Sequence, residues 1–256
     1  MQHPMLTQVE IRLAQALAAM DGTRGLAVPE GLGFQPGQEI DWRLHHGRFQ
    51  VHCQHRQSPV FHKIHLERGE VAGGFHYFHA MWFPSPRYSL PLMGVDVNAA
   101  AQRVTLAVLH LYPALADDPL PAPCQQALDG LAGLDFARHR PLPAWGDIFQ
   151  EGLCFIVQPQ DDAEQASFAA LVAALAPAYL RQARVAVPEA VAAPATRARW
   201  QRQAHYVARK RANDRGRRLL AANLPSAALA DRYVDEFLWP DPAPLESFES
   251  PDGGAL

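Results

Sequence analysis

Apolar and polar residues alternate along four strand-like runs in the first half of the chain. In the first run Ile64 and Leu66 share one face, and the polar side chains share the other. In the second run His79 is the one imidazole on a stripe of aromatic residues and methionine. Because the connections between the runs are short, we expect an antiparallel meander. The runs are FHKIHLE, FHYFHAMWF, GVDV and RVTLAVLHLY.

Helical spacing of apolar residues occurs in the remaining parts of the chain. We expect Thr7 to cap the first helix and the pair Asp161-Asp162 to cap the third, which Pro177 should kink or restart. The Gly- and Pro-rich residues 22–37 predict a loop. The predicted helices are Pro4 to Met20, about Gln125 to Leu131, the residues after Asp161, and about Ala195 to Ala222. Further predicted strands are Ile40 to Leu44, Arg48 to His55 and Cys154 to Val157.

Three of the strand-like runs each carry one ionisable residue suited to moving protons. If Glu67, His79 and Asp96 face the same side of the sheet, they form a carboxylate, imidazole and carboxylate cluster in apolar surroundings. Such a cluster titrates as a coupled unit. We expect Asp96 to supply or relay a proton, because burial or a neighbouring carboxylate can keep an acid protonated near neutral pH. The plainer interpretation is a core histidine satisfied by one acidic neighbour.

Eight histidines lie between His45 and His79, and this density favours a second hypothesis. A metal-dependent oxygenase can bind its metal with two histidines and one carboxylate on a β scaffold. However, His62 and His65 stand three residues apart, which places them on opposite faces of a strand. The same holds for His76 and His79, so only a bulge would bring either pair together. We expect most of these histidines to be surface residues or to form hydrogen bonds in loops.

Composition limits the classes of function that remain. The chain has 256 residues, 48% of them hydrophobic, with a net charge of -3, which is typical of a globular protein without general attraction to nucleic acid or membranes. We expect no membrane-spanning segment and no signal sequence, and therefore a cytoplasmic monomer. Cys53, Cys124 and Cys154 are too far apart in sequence to suggest a metal or iron–sulfur site. No G-x-G-x-x-G follows a strand, so a reductase of this sequence would need electrons from a partner.

The last predicted helix is rich in arginine and almost free of acidic residues. Such a run is most often a solvated face. Nucleic-acid binding is a weaker alternative, because the whole chain is mildly acidic. An acidic protein partner is a third alternative, because a basic surface raises its encounter rate. For that alternative we expect Arg199 and Arg202 to contribute.

Four separated strings, taken together and in this order, resemble the ferredoxin-dependent bilin reductases. The similarity runs from about Gln57 to about Leu238, with gaps in the Pro-rich loops. No string is specific alone, but the combination of four is. The strings are QSPVFHKIHLE, FHAMWFPSPRYSLPLMGVDV, RPLPAWGDIFQE and QAHYVARKRANDRGRRLL.

The resemblance implies roles for seven residues. Glu67, His79 and Asp96 match the family's catalytic proton-handling residues, and Asp214 matches an aspartate that several subfamilies use as a second proton donor. The residues implied to bind substrate are Arg140, near the bilin propionates, and Asn213 and Arg215, at the rim of the pocket. Without the resemblance, Arg140 would be read as a solvated arginine and Asp214 as a counterion on a helix surface.

The resemblance also implies the fold, the substrate and the electron donor. We expect an α/β protein, an α/β/α three-layer sandwich whose mostly antiparallel sheet of about six or seven strands lies between helices, in a single domain over residues 1–256. The implied reaction is the four-electron reduction of biliverdin IXα to a phytobilin of the phycocyanobilin type. Electrons come from a reduced [2Fe-2S] ferredoxin, and no metal or flavin is bound. One alternative is reduction of other double bonds of biliverdin, which gives dihydrobiliverdin or phycoerythrobilin. The other alternative is a tetrapyrrole carrier without catalytic activity.

Overall fold

Nine antiparallel strands pair into one sheet in the part of the chain that the structure describes. The computed structural model describes residues 3–37, 41–47, 49–71, 73–131 and 133–249. Ile40 and Arg48, where two of the predicted strands begin, lie outside these residues. The strands are β1 (Arg24–Gly25), β2 (Gln35–Pro36), β3 (Asp41–His46), β4 (Phe49–Gln57), β5 (Phe61–Val71), β6 (Phe75–Pro84), β7 (Leu92–Ala100), β8 (Arg103–Tyr112) and β9 (Leu153–Val157).

The strands from β2 to β9 lie side by side in chain order, which confirms the predicted antiparallel meander. The two additional strands come from the segment predicted to be a loop. There β1 pairs with β4, with Gly25 opposite Arg56, and β2 pairs with β3, with Gln35 opposite Arg43. Pairing with the sheet satisfies backbone N–H and C=O groups that an unpaired segment would leave to water. The sheet is therefore wider than the predicted six or seven strands.

Helices cover both faces of the sheet and so form the predicted three-layer sandwich. The apolar face of β5 to β8 packs against α1 and α3, and α2 packs on α3. The opposite face packs against α4, α5, α6 and residues 233–239. We call residues 233–239 the cover segment; they include a π-helical turn. The helices are α1 (Pro4–Ala18), α2 (Ala122–Asp129), α3 (Asp162–Val185), α4 (Pro194–Arg211), α5 (Asp214–Ala221) and α6 (Ala227–Arg232).

The predicted long C-terminal helix is two helices, because the chain leaves the helical path after Arg211. The Asn213 side chain accepts a hydrogen bond from the backbone N–H of Gly216 at 3.1 Å and caps the start of α5. Asparagine is favoured at such a cap, and glycine lowers helix stability relative to most residues. The break turns Asn213 from a helix-interior residue into a cap, so the single helix from Ala195 to Ala222 was a wrong prediction.

The ends and the interior of the other helices also differ in detail from the predictions. Asp161 caps α3 as predicted, accepting from the N–H of Glu164 at 2.9 Å. The helix then continues through Pro177 to Val185 without restarting. At the N-terminus the cap of α1 is His3, whose Nδ1 accepts from the N–H of Met5 at 3.3 Å, and not Thr7.

Helix α3 is the one described helix that is long and apolar enough to cross a membrane by length and composition. Its apolar side, with Phe168, Leu171 and Leu175, is fully buried in the core that it shares with α1 and the sheet. These contacts explain its apolar composition, because the side of a helix that faces the core is apolar. The expectation that no segment spans a membrane stays a prediction.

Candidate active site

The three strand residues singled out by the alternation lie in one row across the sheet. Glu67 on β5 is the direct register partner of His79 on β6, and His79 is the direct partner of Asp96 on β7. Directly opposite residues of neighbouring antiparallel strands point to the same face. That face is the one covered by α4 and the cover segment. The structure thus brings Glu67, His79 and Asp96 together, and their catalytic roles stay predictions.

Glu67 is fully enclosed and accepts three hydrogen bonds. The donors are the hydroxyl of Tyr77 at 2.6 Å, the hydroxyl of Tyr233 at 2.8 Å and Nε2 of His65 at 3.1 Å. Burial alone would raise the pKa of Glu67, but the hydrogen bonds from His65 and Tyr77 hold that pKa below its ordinary value. Glu67 is therefore an ionised carboxylate in the ligand-free protein at neutral pH.

His65 is a neutral imidazole on the same strand as Glu67, two residues before it. Burial lowers the pKa of His65 to about 4, and Nε2 is the nitrogen that donates to Glu67. Within the described part of the chain its Nδ1 has no hydrogen-bond partner, as expected for the unprotonated nitrogen of a neutral ring. The rings of His65 and His79 lie 5.7 Å apart between centroids. The site therefore has a second imidazole within reach of the first.

His79 and Asp96 form a short, direct hydrogen bond. Nδ1 of His79 lies 2.5 Å from Oδ1 of Asp96, and the two side chains are 10% and 24% exposed. Burial alone would raise the pKa of Asp96, but the charges of His79 and Lys210 hold it well below its usual range. The expectation that Asp96 is kept protonated was therefore wrong for the ligand-free protein. The Asp96 carboxylate therefore accepts this hydrogen bond from Nδ1 of His79.

Lys210 completes the site and was missed by the sequence analysis, which placed it in a solvated basic face. It comes from α4, is 7% exposed, and its ammonium lies 3.8 Å from Oδ2 of Asp96. The ammonium also lies over the rings of Trp239, Phe149 and Trp145, at 4.7, 5.5 and 5.7 Å from their centroids. One signal was available in the sequence, since Lys210 is the one lysine within an arginine-rich helix.

The cover segment lies directly over the row. The Trp239 ring packs edge-on against the His79 ring at 5.3 Å between centroids, and Tyr233 reaches Glu67. Lys63 of β5 holds this segment by its backbone, because its ammonium donates to the carbonyls of Phe237 at 2.5 Å and Leu238 at 2.8 Å. Burial lowers the pKa of Lys63 to about 7. The segment therefore covers the site in the ligand-free structure.

Two of the cavities formed by the described residues lie on different parts of the molecule. A cavity of about 330 Å³ lies beside the cover segment, between Lys63 of β5, Gln203 of α4 and residues 240–243. A larger one, of about 620 Å³, lies under the Pro-rich residues 113–122 and contains none of the row. The smaller cavity is the one next to the ionisable cluster, although it falls at the lower end of the roughly 300–1,000 Å³ typical of ligand sites.

The remaining predicted site residues are outside the row. Asn213 caps α5, and Asp214 and Arg215 are exposed in its first turn. Arg140 lies beyond the far edge of the row, where its N–H bonds the carbonyl of Ile156 and its guanidinium bonds Gln158 at 3.3 Å. The structure therefore assembles the three strand residues but leaves these four apart from them.

The arginines of α4 and α5 are mostly engaged within the protein. Arg199 is 3% exposed and contacts the carbonyl of Pro86 and the carboxylate of Glu189, so it is not available to a partner. Arg202 contacts Glu151 at 2.5 Å and is 20% exposed. The expectation that Arg199 contributes to a basic docking surface was wrong. The exposed arginines of these helices are Arg197, Arg215 and Arg218.

A metal centre built from the histidines is not assembled in the described residues. Across residues 3–249, apart from the few gaps, no group of three His, Cys, Asp or Glu side chains is placed to hold a metal ion. His62 instead contacts Gln203 at 3.1 Å, and His55 contacts the carbonyl of Ala27. These two contacts join residues that are distant in the sequence. His55, His65, His76 and His79 are buried on strands, so the expectation that most of the histidines are surface residues or loop hydrogen-bonders was wrong.

The sequence matches a known family over most of its length. A family profile described as ferredoxin-dependent bilin reductase matches residues 11–240. The phycocyanobilin:ferredoxin oxidoreductase of Synechococcus sp. (strain CC9605) is 33% identical over 245 residues, which cover 95% of this chain and 96% of that protein. The protein of the same name from Prochlorococcus marinus (strain MIT 9303) is 28% identical over 243 residues, covering 95% and 89%.

A solved structure shares the fold. Tomato phytochromobilin synthase in complex with biliverdin superposes with a TM-score of 0.67 at 12% sequence identity, over 91% of this chain and 82% of that one. At this level of identity the similarity is one of fold. The three-layer arrangement is therefore shared with a protein that binds biliverdin.

Proposed function

We propose that this chain, which belongs to the ferredoxin-dependent bilin reductase family, reduces biliverdin IXα by four electrons and four protons to phycocyanobilin. The family makes the chain an oxidoreductase that takes its electrons from ferredoxin. The product is proposed from the names of the relatives that are 28–33% identical. The substrate is proposed from those names and from the biliverdin complex that shares the fold.

The in-register row of Glu67, His79 and Asp96 is the observation that carries this proposal. Each electron that enters a conjugated tetrapyrrole raises its basicity, so a proton must follow, and two electrons with two protons saturate one double bond. In the proposed mechanism His79 gives the proton, Asp96 holds the ring in place, and Glu67 orients its two tyrosine hydroxyls. A carrier without turnover has no need of buried carboxylates, which are costly unless paired.

We propose that the substrate enters by displacing the cover segment outward. Trp239 lies against His79 in the ligand-free protein, so a tetrapyrrole cannot contact His79 until that ring moves. Helix α5 would move with the segment, because Arg217 binds Asp235 at 2.8 Å and Asp231 at 2.7 Å. Such a coupled motion would bring the first turn of α5, now exposed, toward the bound bilin.

The proposed substrate contacts follow from that motion. Arg140 bonds Ile156, which is paired to Val108, the register partner of Asp96, so Arg140 lies three steps along the row. At about 4.8 Å per strand, Arg140 lies roughly 14 Å from Asp96 and roughly 19 Å from His79. We propose that a propionate of a bilin lying over the row extends toward Arg140. We keep Asn213 and Arg215 as proposed bilin contacts and Asp214 as a proposed second proton donor, all after the motion of α5.

The proposed electron donor is a [2Fe-2S] ferredoxin that docks on the exposed arginines of α4 and α5. Opposite charges on two proteins raise the rate of encounter, and salt screens that attraction. We propose that the protein works as a cytoplasmic monomer with no bound metal or flavin. Turnover at limiting ferredoxin should then fall as ionic strength rises from 0.01 to about 0.1 M, and charge reversal at Arg197 and Arg218 should mimic salt. A rate indifferent to both changes would place the docking surface elsewhere.

The decisive experiment is anaerobic incubation with biliverdin IXα and reduced ferredoxin. The expected result is loss of the biliverdin absorption band and a product that co-elutes with phycocyanobilin. Omission of ferredoxin, or its replacement by the oxidised form, is the matched control and should leave biliverdin unchanged. A product in which only one double bond is reduced, or in which other double bonds are reduced, would overturn the proposed regiochemistry. Such a product would still support ferredoxin-dependent reduction of a bilin. Tight biliverdin binding without any product would make the protein a carrier.

A further inference from the structure

The chain contains two lysines among its 256 residues, and both are buried between the sheet and the layer that covers the active-site row, Lys63 on β5 and Lys210 on α4. Every other cationic side chain, apart from histidine, is an arginine. Lys63 is 4% exposed and Lys210 is 7% exposed. The ammonium of lysine is a compact cation that rotates freely, whereas the guanidinium of arginine is broad and planar. The chain thus places its two point charges where space is limited and water is excluded.

Lys210 lies in a box of aromatic rings that is open toward one carboxylate. Trp239, Phe149 and Trp145 contribute the ring faces, with centroids 4.7 to 5.7 Å from the ammonium. Aromatic faces attract a cation, and the attraction is strongest where the cation is desolvated. The described salt-bridge partner of the ammonium is Oδ2 of Asp96 at 3.8 Å, while Oδ1 of the same carboxylate binds His79 at 2.5 Å. The two carboxylate oxygens therefore join the imidazole of His79 to the ammonium of Lys210.

Asp96 is placed like the carboxylate of a catalytic triad, with one oxygen on the imidazole, and it has in addition a cation beside its other oxygen. A carboxylate that accepts Nδ1–H fixes the tautomer of an imidazole and leaves Nε2 to exchange a proton with substrate. The carboxylate can do so as long as it stays an anion. A caged ammonium on its other oxygen favours the anion, because an opposite charge at this distance stabilises the ionised form.

We propose that Lys210 is a positioning residue that keeps Asp96 an anion, so that His79 holds its proton on Nδ1 and exchanges the substrate proton at Nε2. This inference rests on the proposed function and specifies which group in the row supplies the proton. In the step itself, one proton leaves Nε2 for the reduced bilin, and the electron comes from ferredoxin. Asp96 stays ionised throughout, and His79 is recharged by a proton from solvent.

The experiment measures the His79–Asp96 pair in the ligand-free protein and so does not depend on bilin binding. Nitrogen-15 NMR of the histidine ring nitrogens, assigned with a His79→Gln variant, reports the tautomer and the pH midpoint at which the pair gains a proton. The groups facing Asp96 are His79 from β6, His110 from β8, and Lys210 and Tyr206 from α4, and Cys154 from β9 faces Lys210. Of these, Lys210 alone is changed.

Lys210→Met should raise the midpoint of the pair by about 1 unit or more, because loss of a neighbouring cation makes protonation easier. Lys210→Arg keeps the charge and should restore most of the shift if the guanidinium fits the box. Arg181→Met is the matched control, an exposed cation on α3 in the opposite layer, and should leave the midpoint unchanged. Thermal unfolding shows whether each variant folds. If Lys210→Met fails to fold, Lys210→Gln takes its place in the experiment.

The inference predicts a second effect that a purely structural role would not produce. In turnover, Lys210→Met should lower kcat with little change in KM for biliverdin, and the pH at half-maximal kcat should move upward with the NMR midpoint. An unchanged midpoint and tautomer in a folded Lys210→Met protein would overturn the inference and leave Lys210 as a packing residue. That outcome says nothing against biliverdin reduction, which the wild-type assay tests separately.

Discussion

Two groups of predicted site residues, one on strands and one on a helix, ended in different surroundings. Glu67, His79 and Asp96 meet in one row, whereas Asp214 and Arg215 are exposed at the start of α5. The strand residues are fixed by hairpin register, because each short connection determines which residues lie opposite. The position of a helix residue depends instead on where the helix breaks and on what it packs against. A site built from both kinds of element is therefore predictable on its sheet side first.

The largest effect should follow from breaking the row at Asp96. Asp96→Asn keeps the shape but loses the anion that holds His79, so the proton that follows the first electron should arrive slowly. Turnover should fall by about 100-fold or more, which is the usual contribution of a positioned acid or base. Electron paramagnetic resonance during anaerobic turnover should show a bilin radical that accumulates. Asp129→Asn, an exposed carboxylate on α2, is the matched control, and a near-parental rate in Asp96→Asn would contradict the assignment.

A smaller effect on turnover is expected at the other end of the row. Glu67→Gln places an amide among the hydroxyls of Tyr77 and Tyr233 and loses the charge that both contact. We expect a loss of about 1–3 kcal/mol in the free energy of unfolding, the usual cost of breaking a buried polar contact. We also expect release of a partly reduced bilin, identified by chromatography. Glu70→Gln on the same strand, where the side chain is exposed, should change neither quantity.

The contact between Lys63 and the cover segment gives a pH-dependent effect on stability. The pKa of Lys63 is lowered from 10.5 to about 7, so between these values the unfolded chain binds a proton that the folded chain does not. Stability from this group therefore rises as the pH increases from about 7 toward 10.5. Urea unfolding gives the free energy of unfolding of the wild type and of Lys63→Met at each pH. Between pH about 7 and 10.5, this free energy should rise in the wild type relative to the variant. Parallel curves for the two proteins would show that Lys63 is not buried.

The smallest effect should occur at the exposed end of α5. Asp214→Asn should change the free energy of unfolding by no more than about 0.5 kcal/mol, as surface substitutions usually do. In steady-state assays it should lower turnover less than Asp96→Asn does, since Asp214 reaches the bilin through the motion of α5. A loss as large as that of Asp96→Asn would show that Asp214 is the principal proton donor.

The sequence by itself determined the sheet, its order and one face of the site. Period-2 alternation places Glu67 and His79 on a polar or aromatic stripe, and short connections leave an antiparallel neighbour as the one geometry available. The same local rules predicted the cap at the start of α3, whereas the three layers were implied by the resemblance to a family. These features depend on residues within a few positions of one another, or on hairpins whose two strands are adjacent in the chain.

Tertiary structure alone decided the charge states and the covering of the site. Lys210 reaches Asp96 from a helix more than one hundred residues later, and Tyr233 reaches Glu67 across a similar interval. No local pattern encodes such contacts. The pKa of Asp96 is low because two cationic groups meet it after folding, whereas burial in isolation predicted a protonated acid. Electrostatic effects depend on distance in space and on exclusion of water, and packing of the layers is what sets both.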